Sequence, residues 1–235
     1  LLQVKNLKTY FHSSRGTVKA VNDVSYEVYQ GETLGVVGES GCGKSITSMS
    51  IARLVECPPG KYEGGEILLD GEDMLKVSDQ RLREIRGNKI SYIFQEPMTS
   101  LNPVFKIGYQ IEEVLRLHKG MSKEEARKAA IDALDKVRIP NPERIVDEYP
   151  FALSGGMRQR VGIAMAMIFS PKILLADEPT SALDVTTQAQ IIRQIVDIRN
   201  EYGVAVIMVT HNLGVASYVS NKLMVMKGGH VVEYG

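Results

Sequence analysis

Apolar residues follow two different periods along the chain. Near the start, "LLQVKNLKTYF" (1–11) and "KAVNDVSYEV" (19–28) alternate apolar with polar positions, the period of a half-buried strand. "QGE" (30–32) then predicts a turn, and "TLGVVG" (33–38) is a continuous apolar run of strand length, as a buried strand shows. "KSITSMSIARLV" (44–55) switches to helical spacing. "GEILLDGEDM" (65–74) predicts two short strands about a turn at Asp70 and Gly71, and "KISYIFQE" (89–96) predicts another strand.

Residues 104–169 contain no convincing strand pattern. Within them "SKEEARKAAIDALDKV" (122–137) predicts a helix, with Ser122 as its cap and Glu125 three residues on to complete a capping box. After Ser170 the alternation of strand and helix returns: "KILLAD", "TTQAQIIRQIVDIRNEY", "VAVIMVT" and "NKLMVMKGG". Buried strands alternating with amphipathic helices predict an α/β domain with a mostly parallel sheet. The helical stretch then reads as an insertion into it, over residues 97–157.

Composition narrows the class of protein without naming a chemistry. The 235 residues suit one large domain, and 44% hydrophobic with 24% charged residues is ordinary for a globular protein. Lys plus Arg and Asp plus Glu both number 28, so no net basic field argues for a nucleic-acid partner. The two cysteines, Cys42 and Cys57, suggest no disulfide framework. No apolar run is long enough to cross a bilayer as a helix, so any work at a membrane is expected to go through a docked partner.

Chemistry enters with "GESGCGKS" (38–45). Gly38, Gly43, Lys44 and Ser45 match G-x-x-x-x-G-K-[ST] between a predicted strand and a predicted helix. Glycines there let successive backbone N–H groups converge on an anion at a helix N-terminus. Phosphates of a nucleotide are expected over Gly38, Ser40, Gly41, Cys42, Gly43, Lys44, Ser45 and Ile46, with Lys44 reaching the β- and γ-phosphates and Ser45 ligating Mg²⁺. A second motif, "KILLADE" (172–178), is an apolar strand ending in two carboxylates. Asp177 is expected in the outer coordination sphere of the Mg²⁺, and Glu178 facing the γ-phosphate, where it polarises a water.

Two further stretches, "LSGGMRQR" (153–160) and "DEPTSALD" (177–184), resemble the signature of ABC-type ATPases. Gln95 in "FQEP" and His211 in "VTHN" stand in that family's order, so the resemblance covers essentially the whole chain. "FQEPMTSLNP" (94–103) is most similar to the ATP-binding subunits of dipeptide, oligopeptide and nickel importers. The fold this implies is a P-loop NTPase (RecA-like) core over residues 1–96 and 158–235. That core carries an N-terminal antiparallel β-subdomain, and the helical subdomain spans 97–157.

The resemblance also implies residue roles. Two such domains pair head to tail around ATP, so Ser154, Gly155 and Gly156 would meet the γ-phosphate held by the other subunit. Their other role is a helix cap and a turn. Tyr10, or Phe11 beside it, would stack on adenine. Gln95 would reach Mg²⁺ or the attacking water, His211 the γ-phosphate, and Asp184 the dimer seam. Asn212 departs from the family's usual Asp after the histidine. Family members usually continue past the position of Gly235 with a cysteine-bearing segment. The implied activity is Mg²⁺-dependent ATP hydrolysis that powers solute import, with di- or oligopeptides as the cargo. Nickel or oligosaccharide import, or a soluble ABC ATPase unconnected with transport, are the alternatives. The implied partners are membrane permease subunits, which "EPMTSLNPVF" (96–105) would meet, a second ATPase subunit and, indirectly, an extracellular solute-binding protein. The implied place is the cytoplasmic face of the cell membrane.

Overall fold

The computed structural model describes residues 1–95, 100–181 and 183–235. Strands β1 (Leu2–Ser13), β2 (Gly16–Val28), β4 (Gly60–Leu69) and β5 (Glu72–Asp73) form an antiparallel sheet in the order β2-β1-β4-β5. Leu2, Val4, Leu7 and Thr9 are the buried positions of β1. Their spacing slips by one between Val4 and Leu7, where the pairing register shifts and Asn6 takes a left-handed φ of 48°. This bulge turns Leu7 and Thr9 back onto the inner face.

The second sheet has six strands in the order β10-β9-β3-β8-β7-β6. They are β3 (Thr33–Gly38), β6 (Ile90–Ile93), β7 (Ile173–Asp177), β8 (Ala205–Val209), β9 (Lys222–Lys227) and β10 (His230–Tyr234). All neighbours pair in parallel except β9 and β10. Each residue of β7 and β8 is buried, because both faces of the sheet are covered. Ile173, Leu175, Ile207 and Val209 face one core, shared with the antiparallel sheet and with Ile51. Leu174, Ala176, Val206 and Met208 face a second core, made with helices.

Helix α1 (Lys44–Ile51) runs between the sheets, and α2 (Asp79–Ile85) follows β5. The segment after residue 100 is helical: α3 (Ile107–Lys119), α4 (Lys123–Lys136), α5 (Pro142–Ile145) and α6 (Gly155–Met167). Helices α7 (Val185–Tyr202) and α8 (Leu213–Val219) alternate with β7, β8 and β9. The capping box at Ser122 and Glu125 is present with both of its hydrogen bonds.

The outlines differ from the pattern at four elements. Helix α1 ends at Ile51 rather than continuing to residue 55. Arg53 turns left-handed there, and the Arg86 guanidinium donates to the carbonyls of Ala52 and Arg53 at 2.9 and 2.6 Å. Strand β6 stops at Ile93. Helix α2 and strand β10 stand out only in the fold. β10 turns back from β9 through Gly228 and Gly229, both at positive φ, as a tight hairpin requires.

Candidate functional site

The C-terminal end of β3 and the N-terminus of α1 meet in the loop 38–45. Two of its glycines are dictated by contact. A Cβ on Gly43 would lie 2.1 Å from the Ala20 carbonyl oxygen, and one on Gly38 would lie 2.3 Å from that of Met226. Both also have positive φ, 105° and 152°, where L side chains are strained. Backbone therefore closes on backbone, and the Gly229 N–H donates to the Cys42 carbonyl at 2.9 Å. Inside the loop the Lys44 ammonium, 5% exposed, donates to the carbonyls of Gly38 and Glu39, each at 2.9 Å.

A cleft of about 490 Å³ opens over this loop. Ser40, Gly41, Gly43, Lys44, Ser45 and Ile46 line one side, with Ala20 from β2. Gln95, Glu178 and His211 line the rest. The Ser45 hydroxyl donates to Asp177 Oδ1 at 2.9 Å, and the Tyr92 hydroxyl donates to Oδ2 at 2.9 Å. Burial, and then the neighbouring charge of Glu178, push the Asp177 carboxyl above its ordinary range, against the lowering effect of those two hydroxyls and of Lys44. Burial, and then the charge of Asp177, push the Tyr92 phenol up as well.

Glu178 leaves β7 with a left-handed φ of 43°, a conformation unusual for a glutamate. Its N–H donates to the Val209 carbonyl at 2.9 Å, which ties the turn to β8. Its Oε2 then accepts from His211 Nδ1–H at 3.2 Å and from Gln95 Nε2 at 3.4 Å. Side chains two residues beyond β6 and two beyond β8 thus converge on a single carboxylate oxygen, one residue beyond β7.

Other expected site residues lie outside this cleft. Ser154 caps α6, its Oγ accepting from the Met157 N–H at 3.3 Å. Gly156 packs closely on α7, since a Cβ there would come within 2.5 Å of Thr187 Cγ2. Asp184 caps α7, its Oδ1 accepting from the Thr187 N–H at 3.0 Å. That hydrogen bond holds the Asp184 carboxyl below its ordinary range. Gly155 and Gly156 thus pack against Leu183 and Thr187 where the N-termini of α6 and α7 approach, and none of Ser154, Gly155, Gly156 and Asp184 lines the cleft over Lys44. Tyr10 does not line the cleft either. Its hydroxyl donates to Asn22 Oδ1 at 2.6 Å, and Lys19 Nζ stands 5.6 Å from its ring centroid. Asn212 caps α8, its Oδ1 accepting from the Val215 N–H at 3.1 Å, which an Asp there would do equally well. Of the stretch 96–105, residues 96–99 lie outside the described residues.

Two contributors escape sequence reasoning. Tyr92 reads as an ordinary strand residue, and Gly229 as half of a turn. The Gly-Gly pair after β9 is the one signal that could have marked the second.

This fold and cleft define a P-loop nucleotide-binding domain with a helical insertion. The family model described as ABC transporter matches residues 21–181. A probable peptide ABC transporter ATP-binding protein of Sinorhizobium fredii is 48% identical over 99% of this chain and 70% of its own length. The oligopeptide transport ATP-binding protein OppD of Bacillus subtilis is also 48% identical, over the whole chain and 66% of its length. AppD of the same organism, likewise an oligopeptide transport ATP-binding protein, is 50% identical over 99% of the chain and 71% of its length. This chain thus spans about two thirds of those relatives. A dimeric, post-hydrolysis structure of the ATP-binding cassette MJ0796 bound to ADP and Pi superposes with a TM-score of 0.88 and 31% identity, covering 100% of this chain and 98% of that one. The structure of cbiO1 from Clostridium perfringens, part of the ABC transporter complex cbiONQ, gives 0.80 and 28%, over 100% of this chain and 87% of that one. The chain belongs to the ABC transporter family, as one of its ATP-hydrolysing domains.

Proposed function

We propose that the chain is the motor subunit of an importer that carries di- or oligopeptides through a separate membrane permease. The observation that carries the reading is the convergence of Gln95 and His211 on Glu178 at the mouth of the Lys44 loop. Peptide cargo follows the printed names of the relatives. Among the described residues no helix is long and apolar enough to cross a membrane, and the reading puts the chain on the cytoplasmic face as a peripheral subunit.

The residues suit the groups the reaction needs. The loop's crowded glycines turn N–H groups, rather than side chains, toward a polyphosphate. Ser45, Asp177 and Gln95 offer the hard oxygen donors that Mg²⁺ prefers. When bound, the metal would neutralise phosphate charge. Lys44 adds a fixed cation at the terminal phosphates. Glu178 takes the proton of an attacking water, and its rigid turn aims the carboxylate without side-chain searching. His211 reads the γ-phosphate from the opposite wall, beside Glu178.

A second subunit supplies Ser154, Gly155 and Gly156 to this site in the proposed working dimer, with Asp184 at the seam. Tyr10 would stack on adenine from the edge of the antiparallel sheet. Val104 and Phe151 are each 69% exposed, and the stacked pairs Phe105–Tyr109 and Tyr149–Phe151 lie in the same two stretches. The backbone joins the two stretches, since the Ile107 N–H donates to the Glu148 carbonyl at 2.9 Å. Exposed aromatic side chains of this kind suit a permease loop. An external solute-binding protein would hand cargo to that permease.

Substituting Glu178→Gln tests the chemistry. Phosphate release should fall at least about 100-fold, the scale of a lost general base, while ATP still binds. ATP should then hold the variant as a dimer on sizing chromatography. Lys44→Ala should lose nucleotide binding itself. A Glu178→Gln protein that hydrolyses ATP at the wild-type rate refutes the assignment.

A further inference from the structure

A second cleft, of about 430 Å³, lies away from the nucleotide loop, among α3, α4, α6 and α7. That volume falls in the range of small-molecule sites. Leu115, Met121, Met167 and Ile198 make the apolar part of its wall, and charged side chains make much of the rest. Gln194 of α7 lines it at 5% exposure, and neither its Nε2 nor its Oε1 has a hydrogen-bond partner among the described residues. A buried carboxamide with both its donor and its acceptor unmet is costly in a core, and such groups are nearly always satisfied. Here the unmet pair borders a cleft.

Charge around the cleft is balanced. Arg138 and Asp197 neutralise each other at 3.1 Å. Lys119, Lys136, Asp132 and Glu201 also line it, and none of the four has an ion-pair partner among the described residues. Lys136 Nζ stands 5.9 Å from the Tyr202 ring centroid, which keeps that cation beside the cleft.

We propose that this cleft binds a short peptide with free termini. The chemistry of the lining calls for such a molecule. Its amine meets Asp132 or Glu201, its carboxylate meets Lys119 or Lys136, and an apolar side chain lies on the methionine and leucine wall. An internal peptide bond supplies both the acceptor and the donor that Gln194 lacks. A peptide held there bridges α4 to α7, so occupancy joins the helical segment to the sheet core. Resting on the reading of this chain as a peptide importer's motor, the ligand belongs to the class of solute delivered, and the cleft registers its accumulation.

Isothermal titration of the intact chain with the tripeptide alanyl-leucyl-alanine tests this. Saturable binding is expected, weakened about tenfold in Gln194→Met, which keeps the volume and removes the amide. Blocking both termini of the tripeptide should weaken binding at least as much. Gln194→Met should melt no lower than wild type, so a loss of binding in it is not a loss of fold. Absence of saturation at millimolar peptide overturns the proposal. So does equal affinity in Gln194→Met, which would make Gln194 a structural amide satisfied by water. Peptide uptake with the permease is a separate readout. Uptake without binding sinks this site and leaves the motor reading standing, whereas binding without uptake leaves the site without its link to cargo.

Discussion

Glu178 sits at φ 43° between a fully buried strand and a cleft, held through its backbone to β8. A non-glycine residue in that region stores about 1–3 kcal/mol of strain, which the surrounding sheet must over-determine. Glu178→Gly should therefore raise the unfolding free energy by about 1 kcal/mol while abolishing hydrolysis. Thermal melts and phosphate release on the same preparation measure the two effects. Asp177 makes a second prediction, in pH. Its carboxyl is raised in the folded state, first by burial and then by Glu178. The fold thus holds the Asp177 proton more tightly than the unfolded chain does. The stability this provides is present at acid pH, below the unfolded value, and is lost as pH rises through the folded one. At neutral pH Asp177→Asn should stabilise the nucleotide-free protein, and the gain should vanish in acid. Denaturant titrations across pH check the sign. The motif residues at these positions are legible because they are contiguous in sequence. Tyr92 is not, since its bond to Asp177 spans 85 positions and follows from the parallel pairing of β6 with β7.

Among the elements, those with complete local signals lie where the pattern puts them. Ser122 and Glu125 close a capping box without help from the rest of the fold. Ser122→Ala should cost about 1 kcal/mol, seen as a fall of roughly 2–4 °C in melting temperature for a chain of this size. An unchanged melt would mean that α4 is held by packing of Ala126, Ala130 and Leu134 rather than by its cap. Helix α1 shows the opposite case. Its apolar spacing continues past Ile51, yet Arg86 draws the carbonyls of Ala52 and Arg53 out of helical geometry. Strand β10 shows it too. None of its five residues is buried, in the manner of an edge strand, so "HVVEY" carries little apolar pattern of its own.

For the whole molecule, the two cores on opposite faces of one sheet decide what meets what. They bring the ends of β3, β7 and β8 together at one edge, where the nucleotide loop, the Glu178 turn and His211 share a cleft. They leave Val104 and Phe151 exposed. Replacing Val104→Asp and Phe151→Asp together should abolish co-purification with the permease and leave the isolated chain's ATP hydrolysis within about twofold, because neither residue touches the cleft. Retained co-purification would place the permease elsewhere. The sequence alone determined the strand and helix alternation, the phosphate loop, the paired carboxylates and the family, since each is written in near neighbours whose spacing states its geometry. Tertiary structure alone decided that Gln95 and His211 converge on Glu178, that Tyr92 and Gly229 brace the site, and that Gln194 is buried without a partner. Those are contacts between residues far apart in the chain, and only the packing of a covered sheet sets their distances.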